Sequence, residues 1–236
     1  MNHELTVERL FQALCAGDRT SARAIIGQCA EEGVTPEELA HNVYWPALEL
    51  LNQLFRADQL STLAHHYAMR LLRSLVDQSQ AMFTQQTRRG RKVLMFSGEC
   101  EADELAGQLT ADLLEADGYE VFFGGGGIAN DEILAEVGNH HPDVLLMFSS
   151  GPSDAPNIRV LIDTIRTVDS TPDLQIAVGG GVFNRAEGLA EEIGADLWAK
   201  TPLELIETMR DFPDRRATED QRTVGRNRVA PKSAAA

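Results

Sequence analysis

The chain has 236 residues, 43% of them apolar and 24% charged, with a formal net charge of −15 and a pI near 4.8. That length buries one large core or two modest ones, and the acidic balance argues against direct nucleic-acid binding, because a phosphate backbone is repelled. No charged-then-apolar leader and no apolar run of the roughly 18 residues a spanning helix needs are present, so the expectation is a soluble, cytoplasmic protein without membrane association.

The first 87 residues hold no strand-like run, and their apolar residues recur at helical spacing. Leu5, Val7, Leu10, Phe11 and Leu14 mark a first helix that Gly17-Asp18 breaks, and a second runs from Thr20 to Glu32 with Gly33 as its stop. Thr35-Pro36-Glu37-Glu38 starts a third: an N-cap, a proline at the first helical position, then carboxylates against the positive helix end. That helix carries Leu39, Val43, Leu48, Leu51, Leu54 and Phe55, with a bend at Pro46. A fourth spans Ser61 to Gln86. Short connections make this an antiparallel four-helix bundle. Cys15, Cys29 and Cys100 are scattered without C-x-x-C spacing, which reads as reduced, mostly buried thiols and excludes a disulfide scaffold or zinc site.

Gln85 to Arg91 is a polar, basic hinge, so the bundle is assigned to residues 1–87 and a second domain to 91–211. There the pattern alternates, with strands at 92–97, 119–123, 143–149, 174–178 and 196–198, and helices at 102–117, 130–139, 156–168, 186–193 and 202–210. Val144-Leu145-Leu146-Met147-Phe148 is continuously apolar, as a strand covered by helices on both faces must be. The fold class is therefore α/β: a helical bundle, then a five-stranded parallel doubly wound domain of the flavodoxin-like kind. Residues 212–236, poor in apolar side chains, read as a disordered tail.

A ligand of such a sheet lies at the carboxyl ends of its strands. Those ends carry Ser97-Gly98-Glu99-Cys100-Glu101, Gly124 to Gly127, Ser149-Ser150-Gly151 and Gly179-Gly180-Gly181. Glycines there let backbone approach a flat ligand or a phosphate, although any doubly wound domain needs glycines in such turns. None of the runs is a P-loop or a Rossmann fingerprint: the lysine of the former is missing, and no G-x-G-x-x-G joins the first strand to its helix.

In this order the parts resemble the cobalamin (vitamin B12)-binding modules of methionine synthase, corrinoid methyl carriers and light-sensing transcriptional regulators, over roughly residues 5–210. The resemblance rests on Gly98-Glu99, on Leu113 to Val121 leading to Gly124, and on Pro142-Asp143-Val144 leading to Ser149. It continues through Gly179-Gly180-Gly181 and Gly194-Ala195-Asp196. In the helical half, Trp45-Pro46-Ala47-Leu48 through Phe55, then His65-His66-Tyr67, resemble the cap of the light-sensing branch, with Phe55 at its tryptophan and His65-His66 at its Glu-His pair.

The family motif D-x-H-x-x-G falls on residues 99–104 and reads Glu99-Cys100-Glu101-Ala102-Asp103-Glu104. Glu101 stands where the lower-face histidine belongs, and Glu104 where the glycine belongs. Imidazole suits cobalt and a carboxylate is a weak substitute, so ligation by a lower histidine is not expected. Three readings stay open at residue 101: a cobalamin that keeps its own benzimidazole or water below the cobalt, a pocket that has abandoned the cofactor, or two solvated carboxylates on a helix's first turn. The resemblance further implies that Phe55, His65 and His66 meet the upper face, with His66 the cobalt-facing imidazole, and that Glu99 and Glu101 lie below. It implies that Ser149 and Ser150 hydrogen-bond the nucleotide tail and that Gly179, Gly180 and Gly181 give it room. Serine at a strand end also caps locally.

The function implied first is a cobalamin-binding regulatory or sensory module, its cofactor form open, acting through a protein partner. Without a helix-turn-helix ahead of residue 5, the closest analogy is a stand-alone antirepressor. The alternatives are a cofactor-free interaction domain and a corrinoid methyl carrier. The partner is then a transcriptional regulator or a methyltransferase, and self-association is left open.

Overall fold

A computed structural model describes residues 2–168 and 171–218. The cap contains α1 (His3–Ala16), α2 (Arg19–Glu31), α3 (Pro36–Leu39), α4 (Trp45–Arg56) and α5 (Thr62–Gln80). Thr35 and Glu38 close a full capping box at the start of α3, satisfying two otherwise orphaned N–H groups. A single π-helical segment, Ala40–Tyr44, joins α3 to α4. It explains how Pro46 is tolerated: the widened turn makes room for a ring that clashes with the preceding turn of a regular helix. The anticipated bend is thus a change of helical pitch.

The fourth predicted helix ends at Gln80, six residues short of the expected Gln86 (86 − 80). Two tertiary contacts override the local pattern. Phe83 turns into the bundle core, and the Thr84 N–H donates to Glu37 Oε1 at 2.5 Å. Deeper in the cap, the Tyr44 hydroxyl bonds to Ser79 Oγ at 2.9 Å, and burial pushes the phenol up to about 12.

Beyond the cap the elements alternate: β1 (Lys92–Ser97), α6 (Glu101–Ala116), β2 (Glu120–Phe123), α7 (Asn130–His140), β3 (Val144–Phe148), α8 (Asp154–Val168), β4 (Gln175–Gly179), α9 (Gly181–Arg185), α10 (Leu189–Glu192), β5 (Leu197–Ala199) and α11 (Pro202–Asp211). Each strand lies within about one residue of its expectation, inside the usual disagreement over element ends. Of the helix expected at 186–193 only α10 (Leu189–Glu192) forms, because Gly188 adopts a left-handed φ of 79° just ahead of it, and α9 lies before the expected range. The sheet is parallel in the order β2-β1-β3-β4-β5, the flavodoxin-like order, with its switch point between β1 and β3.

Side chains that alternate across the strands divide between two cores. Val93, Met95, Leu146 and Ala177 face α6 and α11, and that core continues without a break into the cap through Trp45, Leu48, Met69 and Leu72. Leu94, Met147, Ile176 and Val178 face α7, α8 and α9. Cap and sheet therefore share a core, so α6 is the element that fixes the cap over the strand ends. The hinge itself is tied to the α6–β2 turn, where Gln86 N donates to Ala116 O and Arg89 N to Gly118 O, each at 2.8 Å.

Of the segment expected to be disordered, residues 212–218 lie against the amino-terminal edge of the sheet. Gln175 Nε2 donates to Phe212 O at 2.9 Å, and Ala217 N to Asp196 Oδ1 at 2.6 Å. Residues 219–236 lie outside the described residues. Among the described residues no helix is long and apolar enough to cross a membrane.

Candidate functional site

The carboxyl ends of β1, β3 and β4 meet beneath the cap around Gly98, Ser149 and Gly180. Gly98 N donates to Phe148 O at 2.7 Å, stitching the first two ends together. Two carboxylates crowd its α-carbon: a Cβ there would collide with Asp103 Oδ2 and stand 2.9 Å from Asp154 Oδ2. Asp103, on the first turn of α6 and 3% exposed, accepts the Ser150 N–H at 3.0 Å. Ser149, 2% exposed, donates its hydroxyl to Asp154 at 2.5 Å. Arg185, from α9, donates to the Ser150 carbonyl at 2.6 Å. Gly180, at φ 99°, presses directly on the Ser149 carbonyl.

On the cap side, α4 and α5 bring Phe55 and His65 together. Their rings stack at 4.0 Å with planes 15° apart. His65 is 7% exposed, and its Nε2 has no hydrogen-bond partner among the described residues. Burial holds its pKa below the ordinary imidazole value, His66 pushes the same way, and the Glu101 carboxylate opposes them. The buried ring therefore favours its neutral form, with a lone pair free to ligate. The Glu101 carboxylate, on the first turn of α6, is near enough to act on His65 electrostatically. Adjacent helical residues point about 100° apart, so burying His65 turns His66 outward, and His66 is exposed.

Two side-chain contacts dock the cap. Trp45 packs edge-on against Phe148 at 5.9 Å, and Arg73 pairs with Glu104 at 3.6 Å. The ion pair is part-exposed, so its contribution is modest, about 0–1 kcal/mol, and the apolar contact dominates. Glu99 and Cys100 stay exposed beside these contacts, so the loop edge is not sealed. Cys100, expected to be buried, instead caps α6, accepting the Asp103 N–H at 3.4 Å.

The expected site residues thus fall into three groups. Phe55, His65 and Glu101 converge at the start of α6. Ser149, Ser150, Gly179, Gly180 and Gly181 form the β3–β4 crevice. Glu99 and His66 face outward. The imidazole turned toward the site is His65, where the pairing with the family had favoured His66. Phe55 stacks on that imidazole and does not stand free to cover a ligand. Asp103, Asp154 and Arg185 escaped the sequence reading. Asp103 sits at a variable position of the motif, and Asp154 begins a helix as acidic residues ordinarily do. A cleft of about 440 Å³ opens from the same strand ends onto the other face of the sheet between α7 and α8, its lining including Phe96, Gly98, Glu99, Met147, Ser149 and Asp154.

A helical cap closed over the carboxyl edge of a parallel sheet, with a buried imidazole at the boundary, defines a fold of the cap-plus-flavodoxin type, in which ligands ordinarily lie at the strand ends. The family described as "B12 binding domain" matches residues 6–79, which is the cap. The cap is therefore similar to that domain, and the match does not extend into the sheet half of the chain. The monomethylamine corrinoid protein of Methanosarcina barkeri has the same fold, with a TM-score of 0.68 at 15% identity over 88% of this chain and 98% of that one. A cobalamin-binding protein of Desulfitobacterium hafniense DCB-2 aligns at 14% identity over 90% of this chain and 98% of that one, with a TM-score of 0.47. The methanol:cobalamin methyltransferase complex of M. barkeri aligns at 13% identity over 92% of this chain and 84% of that one, with a TM-score of 0.49. No curated protein sequence matches the chain.

The residues fit a corrinoid on one side only. His65 offers cobalt what it needs, a buried neutral imidazole whose Nε2 is otherwise orphaned. The β3–β4 crevice does not fit a nucleotide tail, because the chain's own atoms fill it. Ser149 is committed to Asp154, and the open faces of Gly179 and Gly181 are taken by the Phe148 ring and the Arg185 guanidinium, 2.9 Å and 2.6 Å from where a Cβ would be.

Proposed function

We propose that the chain is a cytoplasmic corrinoid-binding module in which His65 would hold the cobalt, and which presents the cofactor to a protein partner. The observation that carries this reading is the buried Nε2 of His65, which has no hydrogen-bond partner among the described residues. A buried polar atom without a partner costs free energy, and a metal bond removes that cost. When bound, a cobalt corrinoid supplies a metal centre that accepts and releases an axial group. Phe55 fixes the imidazole plane by stacking, and burial, which holds the His65 pKa below the ordinary imidazole value, favours the neutral ring.

Likeness of overall fold to the monomethylamine corrinoid protein supports a methyl carrier working with a methyltransferase over a regulator. No site feature described above favours the regulatory reading.

Mixing the protein with hydroxocobalamin tests the proposal. The visible bands are expected to move from the water-bound to the imidazole-bound positions. His65→Ala should keep the water-bound spectrum and lose about tenfold in affinity, about 1.4 kcal/mol, whereas His66→Ala behaves as the parent. Identical spectra for parent and His65→Ala would remove His65 as a ligand. Retention of no corrinoid at all would leave a cofactor-free interaction domain.

A further inference from the structure

The crevice at the β3 and β4 ends carries a consequence for which corrinoid the module takes. We infer that the protein recognises the corrin ring and its peripheral amides without taking the nucleotide tail inside, so that a tail-less corrinoid binds as well as a complete one. This rests on the corrinoid-binding function proposed above.

Entry on the α6 face is blocked by groups that are already paired. Asp103 Oδ2 holds the Ser150 N–H at 3.0 Å, Arg185 holds the Ser150 carbonyl at 2.6 Å, and Asp154 holds the Ser149 hydroxyl at 2.5 Å. Displacing them would leave Asp103, nearly fully buried, without its donor. Beneath the crevice, Leu105 and Leu109 of α6 pack with Met95, Leu146 and Ala177 of the sheet, all essentially inaccessible to solvent, so a flat base finds no void there. The cleft on the opposite face has room and reaches Ser149, but Glu99 and Asp154 line it and no cationic side chain does. A nucleotide tail carries a phosphodiester, and two carboxylates in a chain of net charge −15 repel it. The loop edge offers a ring the half-buried Ser150 hydroxyl, which lies 3.8 Å from the exposed Cys100 thiol, and the part of the exposed Arg185 not engaged with Ser150.

The experiment measures the affinity of the full chain for diaquocobinamide, which lacks the tail, and for aquocobalamin, by equilibrium dialysis, with the parent and Ser149→Ala. The two parent affinities are expected to agree within about threefold, a difference of about 0.7 kcal/mol. Ser149→Ala, its folding checked by circular dichroism, should change both alike. Aquocobalamin binding tenfold or more tighter, with that advantage lost in Ser149→Ala, would overturn the inference and leave the corrinoid-binding reading standing. Retention of neither corrinoid would overturn that reading and the inference with it.

Discussion

Asp196→Ala is expected to destabilise the protein by about 3–5 kcal/mol, the usual cost of removing one partner from a buried ion pair. The Asp196 side chain is fully buried, and its Oδ2 accepts from Arg166 Nη2 and from the Ile176 N–H, each at 2.6 Å. Its Oδ1 accepts the Ala217 N–H at 2.6 Å. One carboxylate therefore joins α8, β4, β5 and the segment after α11. Removing it leaves a largely buried guanidinium, whose Nε has no partner among the described residues, held only by the Leu174 carbonyl, along with two backbone donors. Asp196→Asn keeps an acceptor and should cost less. Arg166→Ala with Asp196→Ala should cost less than the two single losses added, because the double variant leaves no unpaired buried charge. Urea unfolding measures all of these. A loss below about 1 kcal/mol for Asp196→Ala would mean that the carboxylate is hydrated and the network contributes little.

The sheet was legible because period-two and continuous apolar runs have few alternative explanations. Val144 to Phe148 has to be a strand buried on both faces, and it is. Where the sequence reading missed, a tertiary partner outweighed local pattern. Helix α5 stops at Gln80 because Phe83 and Thr84 find better partners in the cap core and at Glu37. Periodicity cannot register a contact forty-seven residues away in the chain. The cap pair shows a different limit. Two adjacent histidines on a helix are equivalent in sequence, and only the burial of one face decides between them. The glycines at 179–181 were legible as a requirement for close approach, but what approaches is Phe148, Ser149 and Arg185 of the same chain. In a sequence a glycine looks the same whether a ligand or a neighbouring strand takes the space. Glu104 is equally double-edged: as a departure from the family motif it suggested a lost site, yet it pairs with Arg73 and helps seat the cap.

Asp112→Asn is expected to stabilise the protein at pH 7.5 by up to about 3 kcal/mol and to change little at pH 4 or below. Asp112 lies on α6, 4% exposed, in the helix that fixes the cap. Gln108 Nε2 donates to its Oδ1 at 2.7 Å, and its Oδ2 has no partner among the described residues. Burial pushes the carboxyl from 3.8 up to about 6, against the Gln108 hydrogen bond, with Glu115 on the same helix and Asp77 on α5 adding repulsion. Below the unfolded value both states hold the proton and the group has no effect on stability. Between the two values the native state binds more protons than the unfolded chain, so stability falls as pH rises. Above about 6 both states are ionised and the full penalty remains, the shift of roughly two units converting at about 1.4 kcal/mol each. Asparagine keeps the shape and carries no charge, so it removes the penalty only where there is one. The measurement is the difference in unfolding free energy between parent and variant from pH 4 to pH 8. A difference that does not grow through this window would show that the ionised carboxylate is hydrated in the folded protein. Because the cap core runs into α6 without a break, relieving this charge should also slow amide exchange at the α5–α6 contact above pH 6, where the parent carries an unpaired buried carboxylate beneath its cap.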